Sequence, residues 1–329
     1  MMKILSTAFL LICCFAVNAK GLTVYTSRKE HLVKDIFKAY EGKTGVKINY
    51  KTGKAGALIQ NLKAELKNPE ADIFMTVDAG NLWYASHEGL LNSLSSKVLD
   101  KNVPSHLRDR DSKWYGLSVR ARTTVVNTKL VKNGTTLSYE DLARPEWKGK
   151  LCLRTSKKVY NQSLVAMLIS THGYEKTKKI ITGWVSNKVD IFSNDTNVLK
   201  AVAAGQCAVG IVNTYYFGRL MKKSPKLPLA ITWPNQKSYG VHINVSGAGI
   251  VKNSKNQVEA QKFLEWLSSS EAQKHFAQVN MEFPILKNAP QSDIVKSWGK
   301  FKANTAFNLT DAGKLQKKAI KLMHEVGYK

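Results

Sequence analysis

The chain has 329 residues, 43% of them hydrophobic, and a formal net charge of +26 at neutral pH. That length can bury two separate cores. Such basicity would suggest nucleic acid in a cytosolic protein, but Lys and Arg are spread along the chain rather than blocked, so no nucleic-acid partner is expected.

The first residues set the compartment. Met1-Met2-Lys3 is a short basic stretch, Ile4 to Val17 is an apolar run, and Val17-Asn18-Ala19 offers small residues for cleavage. This predicts a secretory signal peptide over residues 1–19, too short to span a bilayer as a stable helix. A lipoprotein signal at Cys13 or Cys14 is the alternative, but both lie inside the apolar run, and Ile12 stands where a small residue is wanted. No later stretch is apolar enough to cross a membrane. The mature chain, from Lys20, is expected to be an exported, soluble monomer whose positive field draws in anionic ligands.

Strand and helix signals then alternate. Leu22 to Tyr25 reads as a strand and Lys29 to Glu41 as a helix, with Leu32, Ile36 and Tyr40 on one face and Gly42 and Gly45 ending it. Val46 to Lys51 is a strand, Ala57 to Leu66 a helix stopped by Asn68-Pro69, Ala71 to Val77 a buried strand, and Asn81 to Glu88 a helix. This alternation implies a parallel sheet covered on both faces. Tyr115 to Asn127 is long for one strand and links this series to a second one. There, Leu151 to Arg154 is a strand, Asn161 to Thr171 and Tyr174 to Ser186 are helices, and Val189 to Phe192 is a strand. Asp195 to Ala204 is a helix, and Cys207 to Asn213 a strand. Gly240 to Val251 is extended and offers a return path between the series. The rest is mainly helical, with Leu315 to Val326 closing the chain. Two lobes joined by two crossing strands leave a cleft where ligands bind and a hinge closes.

Outside the leader only Cys152 and Cys207 remain, an even pair in an oxidising compartment. They either join, closing a loop of about 55 residues worth roughly 4 kcal/mol, or stay as two buried thiols. Their spacing does not suit zinc.

Three of the 12 tyrosines are singled out: Tyr160 in KVYNQS and the pair Tyr215-Tyr216 in NTYYFGR. A phenol with its ordinary pKa of about 10 is a poor ligand. A hard trivalent cation drives the proton off, and a set of phenolate oxygens favours Fe(III) over zinc or copper. Three phenolates also cancel a 3+ charge. Neighbouring strand residues point to opposite faces, so both members of the pair reach one metal only if the backbone turns there, and Gly218 suits such a turn.

Over nearly its whole mature length the chain resembles the ferric-ion-binding periplasmic proteins of ABC transporters, the FbpA/FutA group. The resemblance is carried by VYTSRKEHL, ADIFMTVDAGNLW, WYGLSVRARTTVVNT, YEDLARPEWKGKLCLRTSKKVYNQSL, FSNDTNVLKAVAAGQCAVGIVNTYYFGRL and GVHINVSGAGIV. It implies an α/β, two-lobed periplasmic binding protein of type II, similar to a transferrin lobe. The N-terminal lobe would span 20–119 and 244–285, and the C-terminal lobe 120–243 and 286–329. The family's tyrosine ligands fall on Tyr160, Tyr215 and Tyr216. Ser27-Arg28-Lys29-Glu30 occupies the loop where some members carry a histidine ligand, and Lys54-Ala55-Gly56 stands where a later Glu ligand would be. What remains resembles the subgroup that completes the metal shell with a bound anion such as carbonate or bicarbonate. Arg28, at a helix start, and Arg120 are its expected partners; Arg122, on the same side of the strand, is the alternative to Arg120. Glu30 is an additional candidate oxygen ligand.

The function so implied is uptake of Fe(III) from ferric chelates and delivery to an inner-membrane ABC permease. A carrier of a small anion, of phosphonate or sulfate type, would suit Arg28 and the basic charge but leaves the tyrosines unused. A secreted enzyme is the third reading; no G-x-S-x-G or H-E-x-x-H stands out and the seven histidines have no metal spacing.

Overall fold

The computed structural model describes residues 21–132, 134–286 and 288–329. The signal peptide expected over residues 1–19 lies outside the described residues. None of the described helices is long and apolar enough to cross a membrane.

β1 (Leu22–Thr26) pairs in parallel with β2 (Ile48–Thr52) and β3 (Ile73–Thr76). They alternate with α1 (Lys34–Thr44), α2 (Ala55–Ala64) and α3 (Ala79–His87), as the period of their apolar residues predicts. α1 buries Ile36, Phe37 and Tyr40, and Gly45, at φ 75°, closes it by donating its N–H to Glu41. Its start departs from expectation. Residues Glu30–Leu32 form a single 3₁₀ turn, and the α-helix begins only at Lys34. Arg28 therefore precedes a turn rather than heading a helix.

After α4 (Lys97–Asn102) comes β4 (Tyr115–Asn127), buried along all 13 residues. Val119, Thr123, Thr124, Val125 and Val126 are β-branched and suit a strand covered on both faces. The second series follows as β5 (Leu151–Arg154), α5 (Val159–His172), α6 (Tyr174–Ser186), β6 (Asp190–Phe192), α7 (Asp195–Ala203), β7 (Val209–Asn213), α8 (Thr214–Lys223) and β8 (Leu229–Thr232). Then come β9 (Ile243–Ile250), α9 (Gln257–Leu267), α10 (Ser270–Asn280), α11 (Asp293–Ser297) and α12 (Leu309–Glu325).

The strands run in the order β2-β1-β3-β9-β4-β7-β5-β6, with β8 also on β4. β4 changes partners midway. Its first half, to Ala121, lies antiparallel to β9, and from Arg122 onward it pairs with β7 and β8. β9 in turn reaches β3, with Ile73 opposite Ile250. The two long strands read as crossings thus connect the two parallel sets. Cys152, on β5, and Cys207, just before β7, are joined as a disulfide with Cα atoms 5.8 Å apart, which settles the alternative of free thiols. α12, placed with the second lobe from sequence, packs against both α5 and α3.

Candidate metal centre

In open α/β sheets the space beyond the carboxyl ends of the strands is where ligands gather. Here those ends deliver the singled-out residues. Arg28 follows β1, Val77 follows β3, Tyr160 heads α5 after β5, and Tyr215 and Tyr216 head α8 after β7. Together with Arg120 of β4 and Glu282 they line one cavity of about 190 Å³. The turn required of the tyrosine pair is a switch from strand to helix, at Thr214. Within a helix, adjacent side chains diverge by far less than on a strand, and the two rings lie 4.4 Å apart, tilted by 33°. Gly218 does not make this turn. It lies inside α8, where a Cβ would come within 2.7 Å of the Trp298 ring, so it serves close packing.

Both tyrosine-bearing helices present first turns without a side-chain cap, so their N–H groups and the positive ends of their dipoles are available to negative charge. Burial pushes Tyr215 well above the ordinary phenol range, reinforced by Tyr160 and Tyr216. Burial also raises Tyr160, against the opposing charges of Arg120 and Arg154. At neutral pH these two phenols keep their protons unless a strong positive charge enters. The guanidinium of Arg120 lies 5.5 Å and that of Arg154 5.1 Å from the Tyr160 ring centre; Arg154 is 5.9 Å from Tyr216, and Arg219 5.0 Å from Tyr215. This cationic surround stabilises phenolates once formed.

The two arginines expected to hold an anion differ. Arg28 is buried, and its Nη1 and Nη2 donate to the Glu282 carboxylate at 3.2 and 3.4 Å. Ser118 donates to the same carboxylate, and Arg28 also reaches Ser246. Its charge is already matched inside the protein, and only its Nε finds no acceptor among the described residues. Arg120, 2% exposed, donates through Nη1 to Ser246 Oγ at 3.1 Å, while its Nε and Nη2 find no hydrogen-bond acceptor among the described residues. Buried donors of this kind normally have partners, so Arg120 has the vacant valence an anion would fill. Arg122, the alternative, does not line the cavity; it is bound to Asp195, Asn161 and Asn213. Glu30 stands outside the cavity, exposed, and accepts from Tyr50 Oη at 3.0 Å. The structure does not bring it to the tyrosines. Glu282 and Arg154 escaped the sequence reading. Arg154 had a signal, a cation at the end of the strand that leads to Tyr160, whereas Glu282 had none.

Among the described residues the one cluster of His, Cys or acidic side chains close enough to share a metal is Cys152, Asp190 and Cys207, where the disulfide removes the thiols. The oxygen-rich cavity is thus the candidate site for a hard metal.

A sheet crossed by two strands, with a polar cavity at the strands' carboxyl ends, is the architecture of a protein that encloses a small solute. The chain belongs to the bacterial extracellular solute-binding proteins, whose family pattern it matches over residues 25–274. It is 38% identical over 315 residues to "Iron uptake protein A1" of Synechocystis sp., covering 94% of this chain and 87% of that protein. The "Major ferric iron-binding protein" of Neisseria meningitidis is 24% identical, over 94% of this chain and 93% of its own length. Among solved structures, the Trichodesmium FutA in complex with iron and citrate superposes with a TM-score of 0.88 at 40% identity, covering 94% of this chain and 100% of that one. The ferric binding protein of Campylobacter jejuni gives 0.86 at 37%, with the same coverage.

Proposed function

We propose that the protein is a periplasmic carrier that binds Fe(III) through Tyr160, Tyr215 and Tyr216, with a synergistic anion on Arg120, and passes it to an inner-membrane ABC permease. The observation that carries this reading is the convergence of three tyrosines from two helix starts in one cavity walled by arginines. Three phenolates would neutralise the metal, and the unmatched Arg120 donors would hold a bidentate carbonate on a remaining face. Lys29 and Arg219 also line the cavity, so a ferric chelate with a carboxylate anion in place of carbonate suits the same wall. The similarity to iron uptake and ferric-binding proteins supports iron over the small-anion carrier. The role is binding and delivery rather than catalysis, and the protein acts as a monomer whose two lobes close over the metal.

The test is a titration of the purified protein with ferric citrate, with and without bicarbonate, followed by visible absorption. A charge-transfer band from phenolate to iron is expected, saturating at one iron per chain. A colourless protein that instead binds a phosphonate or sulfate would overturn the reading in favour of an anion carrier.

A further inference from the structure

α5 and α8, which carry the tyrosines, issue from different strands, so something must fix their separation. One buried guanidinium lies between them. Arg122, 1% exposed, donates from Nε and Nη2 to Asn161 Oδ1 at 3.1 and 2.7 Å, and Asn161 directly follows Tyr160. Its Nη1 donates to Asn213 Oδ1 at 3.3 Å, two residues before Tyr215, and to Asp195 Oδ2 at 2.6 Å. The same Asp195 oxygen accepts the backbone N–H of Asn213 at 3.0 Å. The anchor is itself held. Arg122 N–H donates to His242 O at 2.9 Å, and its carbonyl accepts from Tyr139 Oη at 2.5 Å. The far side of Asn161 is fixed too, since its Nδ2 donates to Arg154 O and Tyr328 Oη at 2.6 and 2.7 Å.

We infer that Arg122 is a positioning residue that sets the distance between Tyr160 and the Tyr215–Tyr216 pair, and so the geometry of the iron site. This rests on the iron-carrier reading above. All three guanidinium nitrogens are engaged, and Arg122 does not line the cavity, so it acts through Asn161 and Asn213 and touches no ligand. A buried ion pair such as Arg122–Asp195 adds little net stability over a well-packed apolar pair, which leaves geometry as what the fork supplies. Ligand constellations must be held to within about 0.5 Å to work, and a planar fork with fixed donor directions does that where a point charge does not.

The experiment compares Arg122→Lys, which keeps the charge but not the fork, with Arg122→Met, which removes both while Asp195 keeps Arg154 at 3.6 Å and the N–H of Asn213 as partners. Asp72→Asn is the control. It disturbs a buried polar cluster with Ser254 and Asn256 in the other strand set. Each protein is titrated with ferric citrate in bicarbonate while the phenolate–iron band and the apo melting temperature are recorded. Both Arg122 variants should shift the band or lower its intensity per bound iron, with affinity down about tenfold or more, while Asp72→Asn melts earlier with an unchanged band. A wild-type band retained in both Arg122 variants would overturn the proposal and leave Arg122 a structural residue only. Absence of the band from the wild type would remove the iron reading itself, and the proposed role with it.

Discussion

In the proposed site Tyr160 and Tyr215 each offer an oxygen that would become a ligand only after losing a proton that burial holds in place. Tyr160→Phe and Tyr215→Phe remove that oxygen with little loss of packing, so each should weaken Fe(III) binding tenfold or more, about 1.4 kcal/mol. Tyr115→Phe is the control, because its hydroxyl donates to Leu94 O away from the cavity. Equal losses in control and site variants would refute the assignment. Tyr139 is unsuitable as a control, since its hydroxyl supports the backbone of Arg122. The two arginines considered for the anion should separate in a second comparison. Arg28→Ala strands the Glu282 carboxylate in the interior and should cost the apo protein about 3–5 kcal/mol, largely recovered by adding Glu282→Gln. Arg120→Met should instead abolish the bicarbonate dependence of iron affinity with a smaller fall in the apo melting temperature. The reverse ranking in a paired melting and titration series would show that Arg28 holds the anion.

At the scale of elements, the interior around β9 and the start of α3 carries two buried titratable groups of opposite habit. Burial, aided by Arg122 and Arg120, pushes His242, just before β9, from 6.5 down to about 3. Burial pushes Asp78, capping α3, from 3.8 up to about 6, against Arg120 and donors from Gly80 and Asn244. The folded state therefore binds fewer protons than the unfolded chain at His242 between pH 6.5 and about 3, so this group makes stability fall on acidification. Asp78 binds more protons when folded between pH 3.8 and about 6, and opposes that fall. The larger His242 shift wins. The apo urea midpoint should decline below pH 6.5, more steeply in Asp78→Asn and less steeply in His242→Gln than in the unaltered protein. A His242→Gln profile as steep as that of the unaltered protein would contradict this assignment. The disulfide makes a separate contribution, closing a 55-residue separation that contains α5, β6, α6 and α7. Replacing both cysteines by Ser should lower unfolding free energy by roughly 4 kcal/mol, read from denaturant melts. What sequence could supply at this scale follows from range. The periods of α2 and α6, the tyrosine motifs and the long crossing strands are local strings, and they were legible. The contact of Arg28 with Glu282 joins residues 254 apart and leaves no local mark. Gly218 was read as a turn because the sequence does not announce the Trp298 ring pressed against it.

At the scale of the molecule, the +26 charge is a field rather than a contact. Ferric chelates such as citrate complexes are anionic, and attraction speeds their encounter. The association rate should therefore fall between about 0.01 M and 1 M salt, as the screening length shrinks from about 30 Å to about 3 Å. Stopped-flow loading that ignores ionic strength would leave the surface charge a matter of solubility alone.

α12 rests on α5 and α3 at once, so it belongs to neither half exclusively. Gln316 bonds to Gln162 on the α5 side at 2.8 Å, while Gly313 admits the Trp83 ring on the α3 side so closely that a Cβ there would approach to 2.4 Å. The start of α12 is also tied to the segment before β4, where Arg110 donates to both Asp311 carboxylate oxygens at 2.8 and 2.7 Å. A methyl at position 313 would collide with the Trp83 ring, so α12 keeps its place beside α3 only while that position carries no side chain.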